Sequence, residues 1–93
     1  MRAQHKQRLR TPEQARHDAT EIFLNYQQWP DSRIQIRTYT KRSELAQNNA
    51  SRYMASLPDT TMYAPAWRIA ARQNYERAFL DRLLELIAEA DRE

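Results

Sequence analysis

Apolar side chains recur every three or four positions from Ala15 through Ala19, Ile22, Phe23 and Tyr26 to Trp29. That is the period of a helix with one buried stripe. Thr11 suits the N-cap, Pro12 the first helical position, and Gln14 the third position of a capping box. The first helix is therefore predicted over residues 11–29, with Pro30 as its stop. Most of the stripe reads as core; Trp29, at the helix end, is the residue placed to face a partner.

The pattern then changes. In RIQIRTYTK, residues 33–41, Ile34, Ile36, Thr38 and Thr40 alternate with Arg33, Gln35, Arg37, Tyr39 and Lys41. Period two with β-branched residues predicts a short strand or extended segment. No second run of that kind exists to pair with it, so its partner would be another copy or another protein.

Helical spacing returns in Leu45, Ala46, Ala50, Tyr53, Met54 and Leu57, which predicts a second helix over 42–57 ended by Pro58. A loop bracketed by Pro58 and Pro65 follows, carrying Met62 and Tyr63 near its tip. A third, long helix is predicted over 66–91. Trp67, Ala71, Tyr75, Ala78, Phe79, Leu83, Leu86 and Ala90 form one continuous face, and Ile69, Leu80, Leu84 and Ile87 widen it. One stripe suffices for a helix within its own bundle. Either both shorter helices pack along this broad face, or part of it awaits another molecule. The expected partner-binding residues are Phe79, Leu80, Leu83, Leu84, Ile87 and Trp67 on the helix, with Met62, Tyr63 and Pro65 in the loop.

The expected fold is all-α: a small three-helix domain over residues 11–93, preceded by a basic flexible arm, residues 1–10. Ninety-three residues make one domain. A core this small leaves a thin stability margin, which favours an interaction module over an enzyme with a deep pocket.

Composition narrows the chemistry. The chain has no glycine, which excludes the phosphate and dinucleotide loops that need glycine for close backbone approach. It has no cysteine, which removes disulfides, thiolate nucleophiles and sulfur-based zinc sites, and suits a reducing compartment. No apolar run is long enough to span a bilayer, and no apolar stretch follows the basic start, so a cytoplasmic location is expected. His17 and Glu21 stand one helical turn apart, but metal or acid–base chemistry needs more groups converging on a pocket. No catalytic site, metal or cofactor is expected.

Charge is segregated. Residues 1–10 hold Arg2, Lys6, Arg8 and Arg10 and no acid, while residues 33–58 hold Arg33, Arg37, Lys41, Arg42 and Arg52 against Glu44 alone. These two basic patches suit a phosphate backbone or an acidic protein surface. The net charge of +3 is modest, so any DNA contact is expected to be weak and non-specific. Residues 40–57 can be set against a helix-turn-helix, which would make the chain a small transcriptional regulator. Asn48 and Asn49 would then have to supply the turn, and a single amphipathic helix explains the same residues more simply.

In size, composition and helix pattern the chain resembles small phage early proteins. The stretch APAWRIAARQNYERAFLDRLLELI (residues 64–87), together with the basic arm, resembles the anti-RecBCD accessory proteins of lambdoid phages. The resemblance implies a non-enzymatic modulator that docks on the RecC subunit of the host RecBCD nuclease and alters its processing of DNA ends. It also implies contact with a host prolyl isomerase, for which the loop between Pro58 and Pro65 is the natural place. Self-association through the long helix is the remaining expectation.

Overall fold

A computed structural model describes residues 11–57 and 65–92. They form four helices: α1, Thr11–Tyr26; α2, Pro30–Ile36; α3, Tyr39–Ser56; and α4, Pro65–Arg92. The domain is all-α, and no strand occurs among the described residues.

The expected first helix breaks early. A proline disfavours helical geometry in the residue before it, and Trp29 is extended, with φ −126° and ψ 141°. Pro30 then occupies the first turn of α2, where its missing N–H costs nothing. It starts a helix as well as stopping one.

The segment read as a strand, residues 33–41, is the end of α2, a tight turn and the start of α3. Two turn hydrogen bonds, Arg37 N–H to Ile34 O at 3.1 Å and Thr38 N–H to Gln35 O at 3.0 Å, close α2. Thr38 is the N-cap of α3, its Oγ1 accepting from the Lys41 N–H at 3.2 Å. In a strand, Ile34 and Ile36 would share a face. In the helix they oppose each other, and Ile36 is fully buried while Ile34 is 67% exposed. None of this needs glycine, because no described residue has positive φ.

The ends of the helices fix the topology. Thr11, opening α1, hydrogen-bonds Tyr53 near the end of α3, and Tyr53 stacks on Tyr75 in the first half of α4. At the other end of the bundle, Arg37 meets Asp91, near the end of α4. Hence α3 runs antiparallel to α1 and α4, and α1 runs parallel to α4, with α2 as the corner between α1 and α3. Helix α4 is the spine on which both α1 and α3 lean, and those two meet each other little. Its 28 residues span about 42 Å, close to the 45 Å long axis of the molecule. The core runs along it: Ala15, Ala19 and Phe23 from one side, Ile36, Ala46 and Ala50 from the other, around Tyr75, Phe79 and Leu83.

Candidate partner-binding surfaces

The broad apolar face of α4 is largely consumed by the fold. Phe79 and Leu83, expected at a partner interface, are fully buried in the core. Their place on the central stripe lets both α1 and α3 cover them, so they are no part of an exposed surface. Leu80 and Ile87 are half-buried and packed against that core. Leu84, one position further round the helix, is 50% exposed. Trp67 is half-buried and Pro65 exposed at the start of α4. Met62 and Tyr63 lie outside the described residues, as does most of the proline-bracketed loop.

The central basic patch is mostly engaged with its own chain. Arg37 pairs with Asp91 at 2.7 Å and also donates to the Arg33 carbonyl at 2.7 Å. Its hydrogen bond holds the Asp91 carboxyl below its ordinary range. Arg42 Nη1 donates to Ile36 O at 3.3 Å, and Arg33 Nη1 to Gln27 O at 3.5 Å. Arginine on the last carbonyls of a helix is favourable there, where the backbone acceptors are unsatisfied. Lys41 pairs with Glu44 at 2.8 Å, and this hydrogen bond raises its pKa. Arg52 alone of the five makes no hydrogen bond or ion pair among the described residues; it lines a groove between α1 and α3. Arg2, Lys6, Arg8 and Arg10 lie outside the described residues.

Two surfaces remain. The first is the corner around α2. Trp29, Ile34 and Tyr39 are 65%, 67% and 73% exposed within eleven residues of chain. Beside them Pro30, Arg33, Ile34 and Arg37 line a shallow depression of about 260 Å³, closed by Asp91. A seven-residue helix is only about 10 Å long, so these side chains crowd one end of the bundle. Trp29, singled out in the sequence by its place at a helix end, is exposed. Ile34 and Tyr39 were missed, because reading a strand put Ile34 on the face shared with Ile36.

The second is the groove between α1 and α3, about 490 Å³. Gln14, Asp18 and Glu21 form its α1 wall, Asn49, Arg52 and Ser56 its α3 wall, with Ile22 and Tyr53 between. Asp18 accepts hydrogen bonds from Tyr75 Oη and from Gln14 Nε2. Burial first, and this bond to Asp18 second, push the Tyr75 hydroxyl far above its ordinary pKa, so it stays a neutral donor. Among the described residues there is no group of three or more potential metal ligands, and no helix is long and apolar enough to cross a membrane.

No protein-family model, curated protein or solved structure matches this chain.

Proposed function

We propose that the chain is a non-catalytic binding protein that docks its α2 corner on an acidic protein surface. The proposed partner is a host complex that processes DNA ends, RecBCD through its RecC subunit, so that the chain modulates that nuclease in favour of phage recombination. The observation that supports the docking surface is the exposure of Trp29, Ile34 and Tyr39 on so short a stretch. Each large apolar side chain left in water forgoes roughly 1.5–3 kcal/mol of burial, a loss that a partner would recover. Aromatic residues and arginine are also the side chains that most often dominate binding energy at interfaces. Of the cations in this stretch, Arg33 and Arg42 are bonded only to backbone carbonyls and keep their charge, which favours an acidic counterpart.

The alternative, a DNA-binding regulator using the central basic segment, is less favoured. Two of its five cations, Arg37 and Lys41, are paired with the chain's own carboxylates, which leaves few charges for a run of phosphates, and a phosphate backbone would leave the exposed Trp29, Ile34 and Tyr39 uncovered.

Titration of purified RecBCD with the full chain tests the partner, and a Trp29→Ala/Ile34→Ser/Tyr39→Ser variant tests the surface. The wild type should bind and alter DNA-end degradation. The variant should keep its circular dichroism spectrum and lose about ten-fold or more in affinity, as expected for removal of a hot spot. A wild type that does not bind rules out the named partner; a variant that binds equally well rules out the corner.

A further inference from the structure

The fold leaves one strip of α4 incompletely covered. At 3.6 residues per turn, Ile69, Gln73, Leu80, Leu84 and Ile87 fall on one side of the helix, roughly 80–140° round from the buried Phe79. Ile69 and Leu84 are exposed, and Leu80 and Ile87, though packed on the core, are covered only in part. Along the outer edge of the strip stand Ala70, Arg77, Asp81 and Ala88, all exposed. Arg77 and Asp81 form no ion pair among the described residues. Their neighbours are matched within the chain: Arg72 with Glu76, Arg82 with Glu85 and Asp91 with Arg37.

This strip is complementary to itself. A two-fold axis through an antiparallel helix pair sets residues equally far above and below the axis opposite each other. With the axis at the level of Phe79, Arg77 of each copy faces Asp81 of the other, on the same edge of the contact. Ala70 then faces Ala88, which lets the two backbones approach. Ile69 comes level with Ile87 to within about 3 Å, and the two Leu80 side chains meet beside the axis. The register is also specific. A slide of four residues, about one turn, sets Arg77 against Arg77 in one direction and Asp81 against Asp81 in the other.

We propose that α4 pairs antiparallel with α4 of a second copy of this chain through the strip, with Arg77 and Asp81 fixing the register. From Ile69 to Ile87 the contact is about 27 Å long. A single helix pair of that length lies at the small end of specific interfaces, so the dimer comes apart on dilution. It uses none of the side chains of the α2 corner, and either surface can be lost without the other.

Sedimentation equilibrium of the full chain, from micromolar to near-millimolar concentration, should carry the mean mass from 11.2 kDa toward twice that value. Arg77→Glu sets two acids against each other on each side of the axis, and Asp81→Arg sets two cations. Each should weaken self-association about ten-fold or more. Both positions are exposed and unpaired, so the variants should keep the wild-type circular dichroism spectrum. Mixed in equal amounts, the two variants match both charge pairs again. The mixture should therefore form a heterodimer at a concentration where each variant alone is monomeric. A wild type that stays at 11.2 kDa throughout would overturn the proposal. So would a dimer that both charge reversals leave unchanged, or a mixture that associates no better than its components. The Trp29→Ala/Ile34→Ser/Tyr39→Ser variant should dimerise like the wild type; loss of the dimer there would place the interface at the α2 corner instead and overturn the proposal too.

Discussion

The two sides of α1 meet their neighbours in opposite ways. Toward α4 it presents Ala15 and Ala19, both fully buried, and then Phe23. Methyl side chains let helix backbones approach closely, and the distance between packed helices follows the side chains at the contact. The large residues of that seam come from α4, as Tyr75, Phe79 and Leu83. Its outer edge is laced by Arg16, Thr20, Arg82 and Glu85, with Arg16 bidentate on Glu85 at 3.1 and 3.2 Å. Toward α3 the same helix presents Gln14, Asp18 and Glu21, which line an open groove. One helix thus makes a closed seam on one flank and an open groove on the other. The lesson is that three helices in an up-down-up order need not form three equivalent seams. Here α4 supplies most of the bulk, and α1 and α3 spend their apolar residues on it.

The sharpest way to break this contrast is to enlarge a seam alanine. Ala19→Leu forces a branched side chain into a space with no exposure, and overpacking of that kind costs typically about 1–3 kcal/mol. The same side chain at Gln14, on the groove wall, has solvent to enter. It should change stability by no more than about 0.5 kcal/mol, as surface substitutions do. Urea denaturation of the two variants reads both effects. Equal losses would mean that the groove is as closed as the seam.

The seam was legible in the sequence and the groove was not. Three stripes at helical spacing gave α1, α3 and α4 almost to their ends, because Ala15, Ala19, Phe23, Ala46, Ala50, Phe79 and Leu83 follow the helical period closely. The extra breadth of the α4 stripe was also visible, but its use was open. Leu80 and Ile87 pack on the core because a helix lies on each flank of α4, which no local pattern reveals. Helix α2 was missed because two β-branched residues two apart mimic a strand over seven residues, too few for a helical period to repeat. With α2 went the corner, since the exposure of Ile34 depends on which secondary structure holds it. The pairing of Arg37 was hidden for another reason. The partner of Arg37 is Asp91, 54 residues away in sequence, and charge counted by segment cannot see an ion pair between segments.

A smaller effect tests the link between groove and core. Tyr75 stacks with Tyr53 at 4.9 Å and with Phe79 at 6.1 Å, and its hydroxyl reaches out of that stack to Asp18. Tyr75→Phe keeps the stack and removes one hydrogen bond, worth about 0.5–1.5 kcal/mol because Asp18 can turn to the water in the groove. The change should also show in alkali. The folded pKa of Tyr75 lies above its unfolded value of 10, so the unfolded chain releases that proton first. Stability is therefore full below pH ~10 and falls as pH rises further. The wild type should lose stability there more steeply than Tyr75→Phe, the other tyrosines being common to both. Parallel alkaline limbs would mean that the hydroxyl is not held by Asp18.

The smallest effect belongs to the outer edge of the closed seam. Hydrogen bonds from Arg16 and then Arg82 hold the Glu85 carboxyl below its ordinary pKa of 4.5. A depressed carboxylate contributes stability above its unfolded pKa and loses it as pH falls through the folded one. Glu85→Gln should therefore lower the melting temperature at pH 7, and the two proteins should converge as the pH is taken below about 4. Because all three side chains lie at the surface, added salt should shrink the difference at neutral pH. Glu89 is a fitting control, since it is exposed and forms no ion pair among the described residues. Glu89→Gln should leave the melting temperature at pH 7 close to that of the wild type. If Glu85→Gln behaves like Glu89→Gln at every pH, the arginine lacing adds nothing measurable. The buried alanines and the aromatic and aliphatic residues of α4 would then account for the seam by themselves.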